Sequence, residues 1–325
     1  MSTSDNKLRQ DIRPLDASVP RFSEIATFLR APHTKDIDAV DVGIFGIPTD
    51  QGVSFRTGTR HGPAAIREAS RFIRRYNPTT RVSPFDLLNV VDLGDVDVSP
   101  YSLDETVANI TALASRLVDN GTFPLGVGGD HVIPLPMMRG VFRGKPLGLL
   151  HIDAHPDTND EFYGSKINHA TAMRRLHEEG VIDPKRTVQL ALRGTQFNPS
   201  DAIYGRDAGF QIITMDDYEE LGRAELIERL KSIFGDEETY ITIDVDGLDP
   251  RDTPGTPVPE PGGLSMRDCQ MILRGLQGLR LVGADVCEVA PHLDPSGVTA
   301  LNAANLVFEL TCLFGDAPRV EQPRS

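Results

Sequence analysis

Leu149-Leu150-His151-Ile152-Asp153-Ala154-His155-Pro156-Asp157 is the stretch around which this chain is organised. An apolar run leads into Asp-x-His-x-Asp. On a strand, residues two apart face the same way, so Asp153, His155 and Asp157 converge at a strand end. A second such place is Tyr240-Ile241-Thr242-Ile243 running into Asp244-Val245-Asp246-Gly247-Leu248-Asp249-Pro250, and a third is Gly128-Gly129-Asp130-His131 after the apolar Phe123 to Val127. Mixed carboxylate and imidazole donors suit manganese, iron, nickel or zinc better than calcium or magnesium. A carboxylate has two oxygens, so Asp153 and Asp244 could be shared by two ions that activate one water between them.

The rest of the chain frames these motifs. Val42 to Ile47 is a buried strand, followed by a long glycine-rich loop from Pro48 to Gly62; Pro63 opens a helix. Strands are expected over 88–93, 123–127, 187–192, 210–214 and 281–289. Ser102 and Glu105 form a capping box before a helix marked by Leu103, Val107, Ile110, Leu113 and Leu117. A helix is expected from Asn168 to about Glu179, another around Leu226 to Ile233, another capped by Ser265, and a last from about Ala300 to Cys312. Strand and helix alternate, and the strands are near-continuous apolar runs. That pattern describes a parallel sheet covered on both faces, an α/β fold with ligands at the carboxyl ends of its strands. Residues 1–40 read as an arm that packs on the domain or a neighbour, 41–315 as one domain that carries the motifs, and 316–325 as a loose tail.

Composition narrows the class. The 325 residues are 39% hydrophobic and 25% charged. Lys plus Arg number 33 against 47 Asp plus Glu, a net charge of −14, which argues against nucleic acid as partner. No apolar run approaches the roughly 20 residues of a membrane span, and the first residues lack the apolar core of a secretory signal. Cys269, Cys287 and Cys312 are odd in number and outside the motifs, as in a reduced cytoplasmic protein.

Gly-Gly-Asp-His, Asp-Ala-His-x-Asp and Asp-x-Asp-Gly-Leu-Asp-Pro, in this order, resemble the ureohydrolase family of arginases and agmatinases. Ser54-x-Arg56-x-Gly58-Thr59-Arg60-x-Gly62-Pro63 resembles its amino-terminal signature. Glu260-Pro261-Gly262-Gly263-Leu264 and Gly283-Ala284-Asp285-Val286-Cys287-Glu288-Val289 resemble its carboxyl-terminal ones. The resemblance spans about Val42 to Leu310. It implies a three-layer α/β/α fold, and two divalent ions, one held by His131, Asp153, Asp157 and Asp244, the other by His155, Asp153, Asp244 and Asp246. A hydroxide between them would attack a guanidinium carbon, releasing urea and an amine. Asp157 would orient that hydroxide, Glu288 would hold the guanidinium, and His169 would shuttle a proton or touch substrate. Manganese is the metal the resemblance implies, with nickel as the second candidate. The resemblance also implies a homo-oligomer, trimer or hexamer, with mixing with a paralogue left open.

Several residues depart from the agmatinase pattern: Pro156, Ala170 after His169, and Pro257-Val258. With His151, they look closer to plant-type arginases and to nickel-dependent guanidine, alkylguanidine or biguanide hydrolases. Two further readings stay open, a formimino C–N hydrolase and a non-catalytic paralogue subunit. The second is disfavoured because no ligand position is lost. Asp160 and Glu161, in the loop after the central motif, are expected to bind substrate by favouring a cationic or neutral tail. Read alone they are a solvated acidic turn. His151 reads as a satisfied core histidine, and Cys287 as pointing away from the site.

Overall fold

The computed structural model describes residue 14 and residues 18–197 and 203–316; the tail after 316 and most of the first 17 residues lie outside the described residues. Eight described strands form one sheet: β1 Val42–Gly46, β2 Val90–Asp95, β3 Phe123–Val127, β4 Leu147–Ile152, β5 Ile182–Leu192, β6 Gln211–Thr214, β7 Thr239–Asp244 and β8 Leu281–Cys287. Their order is β2-β1-β3-β8-β7-β4-β5-β6, and each of these pairings is parallel.

Among the described residues nine α-helices cover it: α1 Gly62–Ser70, α2 Pro84–Leu87, α3 Leu103–Asp119, α4 Pro134–Val141, α5 Ala172–Glu178, α6 Ile203–Ala208, α7 Met215–Phe234, α8 Met266–Gly275 and α9 Val298–Asp316. Two separate apolar cores result, one on each face. Ile44, Leu150 and Ile243 pack with Ile66 of α1, Leu230 of α7, Ile272 of α8 and Leu306 of α9. Phe45, Leu149 and Tyr240 pack with Ile110 of α3, Met137 of α4 and Met173 of α5. Adjacent strand residues such as Leu149 and Leu150 thus serve opposite faces, which is why each strand is apolar throughout. This is the three-layer α/β/α arrangement. By length and composition α9 is apolar enough over Val298–Gly315 to cross a membrane, but most of that window is buried inside the protein, packed with α1, α8 and β8.

Local chemistry sets several boundaries. Ser102 accepts from the Glu105 N–H at 3.1 Å and caps α3, and Ser265 caps α8 through Asp268. The reciprocal capping box is at Thr214 and Asp217 of α7. α4 is a helix that the apolar pattern does not announce. Pro134 and Pro136 stand in its first turn, where absent N–H groups need no acceptor. The helix expected from Asn168 begins only at Ala172. Asn168 and Thr171 instead close a turn, with Asn168 N–H donating to Thr171 Oγ1 and that hydroxyl donating to Asn168 O. His169 therefore sits on a turn, not on a helix.

The pairing of β3, β8, β7 and β4 at the sheet centre is what builds the site. Ile152 pairs with Ile243, so Asp153 and Asp244 leave the sheet side by side. Gly128 and Gly129 have φ of +85° and +79° and let the chain turn sharply after β3. A Cβ on Gly129 would lie 2.5 Å from the Ile47 carbonyl oxygen. The tight turn is tied to the end of β8, with Gly128 donating to Val286 O and Glu288 donating to Gly129 O. Gly129→Ala is expected to lose about 1–3 kcal/mol of stability through backbone strain, measured by chemical denaturation. A variant as stable as the parent would show that the turn relaxes freely.

Candidate metal centre and active site

The donors come from the ends of three central strands, with β8 lying between the first and the other two. His131 follows β3, Asp153, His155 and Asp157 follow β4, and Asp244 with Asp246 ends β7. His131 Nδ1 lies 3.0 Å from Asp153 Oδ2, 2.8 Å from Asp157 Oδ2 and 3.7 Å from Asp244 Oδ2. His155 Nδ1 lies 3.1 Å from Asp246 Oδ2 and 3.4 Å from Asp153 Oδ1. Two donor groups thus lie side by side, and Asp153 gives one oxygen to each. Asp244 reaches toward His131 with Oδ2, while its Oδ1 accepts the Asp246 N–H at 2.8 Å.

Nearby hydrogen bonds set which nitrogen faces the carboxylates. Thr242 Oγ1 donates to Asp285 Oδ1 at 2.6 Å, so it accepts from His131 Nε2–H at 2.9 Å. Tyr240 completes the set by donating to Asp285 Oδ2 at 2.7 Å. A neutral His131 then turns its Nδ1 lone pair toward Asp153 and Asp157. His151 is buried and donates from Nε2 to Asp153 Oδ2 at 2.8 Å, while Gln189 Nε2 donates to its Nδ1 at 3.0 Å. It is hydrogen-bonded as a core residue, and it also lies against the shared carboxylate and could itself join the donors around Asp153 and Asp157.

Electrostatics say what kind of ligand the cluster suits. Burial pushes the Asp244 carboxyl well up, and the adjacent Asp246 and Asp153 push it further. Burial, then Asp153, raises Asp246 to about 6. Burial opposes charge on His155, but Asp246 and Asp153 carry it up to about 12. Burial likewise opposes charge on His131, and the hydrogen bonds to Asp153 and Asp157 outweigh it. Four buried carboxylates on two imidazoles leave surplus negative charge in a desolvated place. Divalent cations fit that donor set in kind and charge.

Beside the donors opens a cavity of about 350 Å³. Glu288 leaves the end of β8 with φ +65°, and Asp157 has φ +52°, both in the region non-glycine residues seldom occupy. Glu288 Oε1 accepts the His131 N–H at 2.9 Å and contacts His169 Nδ1 at 3.1 Å. Its Oε2 is buried without a partner among the described residues. His169 Nε2 meets Ser54 Oγ at 2.7 Å. Cys287 is buried and donates to Asp285 rather than facing the cavity.

The acidic loop residues sit elsewhere. Asp160 is held by Arg175 at 2.8 Å, with Arg174 and Lys166 at 3.7 and 3.8 Å, and these cations lower its carboxyl. Neither Asp160 nor Glu161 is among the residues lining the cavity. The lining instead includes Asn159, Phe162, Tyr163, Thr195, Gln196, Phe197, Val258 and Glu260, together with Ser54 and Phe55. In the sequence, Ser54 and Glu260 stand out only as parts of signatures. The others are loop residues whose approach depends on tertiary folding.

The fold and site together define a hydrolase with a parallel α/β sheet and a buried His/Asp cluster, fit for divalent metal, at its strand ends. The chain belongs to the arginase family, whose family model matches residues 40–313. It is 43% identical to the guanidinopropionase of Pseudomonas aeruginosa over 94% of this chain and 96% of that one. It is 40% identical to the mitochondrial agmatinase of Gallus gallus over 94% and 90%. The proclavaminate amidinohydrolase structure from Streptomyces clavuligerus superposes with a TM-score of 0.88 at 35% identity, covering 91% of this chain and 99% of that one.

Because His131 and His155 hold protons that metal must displace, loading metal-stripped protein at pH 7 is expected to release protons, and affinity is expected to fall as pH falls. Calorimetry in two buffers of different ionisation enthalpy reads this release. Binding with no proton release would contradict the assignment of those imidazoles.

Proposed function

We propose that this chain hydrolyses a linear guanidino compound to urea and an amine, in the manner of an agmatinase, with a preference for a cationic or uncharged tail. The observation that carries it is Glu288 Oε2, buried and unpartnered among the described residues in a cavity beside the His/Asp cluster. A carboxylate oxygen left without a donor is costly unless a ligand supplies one, and a guanidinium supplies charged N–H groups.

Two divalent ions would be held by His131, Asp153, Asp157 and Asp244, and by His155, Asp153, Asp244 and Asp246. Manganese is proposed from the resemblance, with nickel as the second candidate. When bound, they would supply a water of lowered pKa at neutral pH. The chain's own residues do the rest. Glu288 Oε2 accepts guanidinium N–H and sets the carbon within reach. Asp157 accepts the hydrogen bond of the attacking water and aims it. His169 supplies the proton that the departing amine needs. Burial of the cluster keeps competing water away from the carboxylates that hold charge.

The tail preference rests on the cavity wall rather than on Asp160 and Glu161. Among the described residues, no Lys or Arg lines the cavity, whereas Glu260 and the aromatic Phe55, Phe162, Tyr163 and Phe197 do. An anionic tail finds no countercharge there; a cationic or alkyl tail finds a carboxylate and π-faces. A second reading, a short guanidino acid, is favoured by the guanidinopropionase and guanidinobutyrase relatives at 43% and 41% identity. The neutral Asn159, Thr195 and Gln196 in the lining suit a carboxylate. An alkylguanidine with a short uncharged tail is the closed-pocket variant of the first reading.

Urea release from agmatine, alkylguanidines, 3-guanidinopropionate and 4-guanidinobutyrate, with manganese- and nickel-loaded protein, decides among these. The highest kcat/KM is expected for agmatine or an alkylguanidine. Preference for the guanidino acids would overturn the tail reading. Glu260→Gln is expected to lower agmatine kcat/KM several-fold relative to 4-guanidinobutyrate. Asp160→Asn with Glu161→Gln is expected to leave that ratio within about twofold, since Asp160 is already paired with Arg175.

We further propose a cytoplasmic homo-oligomer. Phe22, Ile25 and Phe72 are 89%, 85% and 66% exposed. They lie on two segments joined where Arg21 donates to Phe72 O and Arg71 donates to Ser23 O, and large exposed apolar side chains on such segments suit a subunit contact. Light scattering is expected to give a trimer or hexamer; a stable monomer at micromolar concentration would count against it.

A further inference from the structure

We infer that the Ser54 hydroxyl is the route by which His169 delivers its proton, an inference that rests on the reading of His169 as the proton donor to the leaving amine. Both ring nitrogens of His169 are occupied. Nδ1 lies 3.1 Å from Glu288 Oε1. Nε2 lies 2.7 Å from Ser54 Oγ and 3.2 Å from the Ser54 backbone N–H. The His169 N–H in turn donates to Gly52 O at 3.2 Å, and Asp130 fixes Gly52 by accepting its N–H at 2.8 Å. The loop after β1 therefore brackets the imidazole, and the ring has no free nitrogen to present to a substrate.

The Ser54 hydroxyl suits both protonation states. With a neutral ring it donates to Nε2, as does the Ser54 N–H. With a charged ring it accepts Nε2–H, which would otherwise face a backbone N–H with no acceptor. Glu288, with Asp157 and Asp130 farther off, favours the charged ring against burial and lifts it to about 9. The other exit, Glu288, has Oε1 committed twice and Oε2 left for the guanidinium. Ser54 lines the cavity. In the step, the Oγ–H proton passes to the leaving amine nitrogen as its bond to the guanidinium-derived carbon breaks. The Nε2 proton passes to Oγ. Ser54 ends unchanged and His169 ends neutral, with its proton on Nδ1.

The test compares Ser54→Ala and Ser54→Thr in the metal-loaded enzyme, on one guanidine that releases a strongly basic alkylamine and one that releases a weakly basic arylamine. Ser54→Ala is expected to lower kcat by about 10-fold or more on the first, within the span of general acid catalysis, with KM within about twofold because His131 N–H still holds Glu288. Ser54→Thr is expected to restore most of the rate. The loss is expected to shrink on the arylamine substrate, whose less basic leaving nitrogen departs with less proton transfer in the transition state. A kcat within about twofold of the parent, equal losses on both substrates, or no recovery with Thr would overturn the role. His169→Asn on the same substrates separates the two levels. If it turns over like the parent, the proton-donor reading fails and the inference with it. If it is slow while Ser54→Ala is fast, only the inference fails.

Discussion

Asp153, Asp157, Asp244 and Asp246 are driven into one buried place by the order of strands, and their mutual repulsion governs the rest of the site. Among the described residues, Arg193 is a permanent cation that feels the charge of Asp246 and Asp153. Its guanidinium is committed to the carbonyl oxygens of Asp246, Leu248 and Glu260, and burial lowers its pKa. The imidazoles of His131 and His155 answer part of the charge only by taking up protons. Divalent ions would answer it without protons and would free both imidazoles to act as ligands. The hydrogen bonds behind them, from His131 through Thr242 to Asp285 and from Gln189 through His151 to Asp153, hold the donors in place for that exchange.

The cavity wall is built separately from this cluster. The donors sit on strand ends, where each is held by the sheet register. The cavity wall comes from loops after β1, β4, β5 and β7, and Arg56 pins two of them together by donating to Thr256 O and Pro257 O. Phe55, Tyr163 and Phe197 are 76%, 80% and 81% exposed, so the loops present aromatic faces outward. On the proposed function, one reaction core would accept different tails by changes in loop residues. That division is consistent with relatives of similar identity carrying names for different guanidino substrates.

What is legible in the sequence follows the same division. The sheet is readable because Leu149-Leu150 and Ile243 are buried in a layer covered on both sides, which leaves an unmistakable apolar run. The cluster is readable because Asp153, His155 and Asp157 follow their strand directly, but strand alternation does not bring them together: β4 ends at Ile152, and the chain beyond it turns, with Asp157 at φ +52°. His169 is readable as a site residue only through resemblance, and its helix starts later than expected because the Asn168–Thr171 turn spends its side chains on itself. Asp160 shows the limit most clearly. Its charge is visible in the sequence, but its partners Arg174 and Arg175 lie on α5, and only the folded loop brings them within reach. Ser54 shows it from the other side. It meets His169 across a separation of 115 residues, a contact that no local pattern encodes.

The central claim is that Asp153 is shared by two ions, one beside His131 and one beside His155. Anomalous diffraction from manganese- or nickel-loaded crystals tests it directly. The account predicts two peaks in each chain, with Asp153 Oδ2 on the His131 side and Oδ1 on the His155 side. A single peak, or two peaks that do not share Asp153, would contradict it.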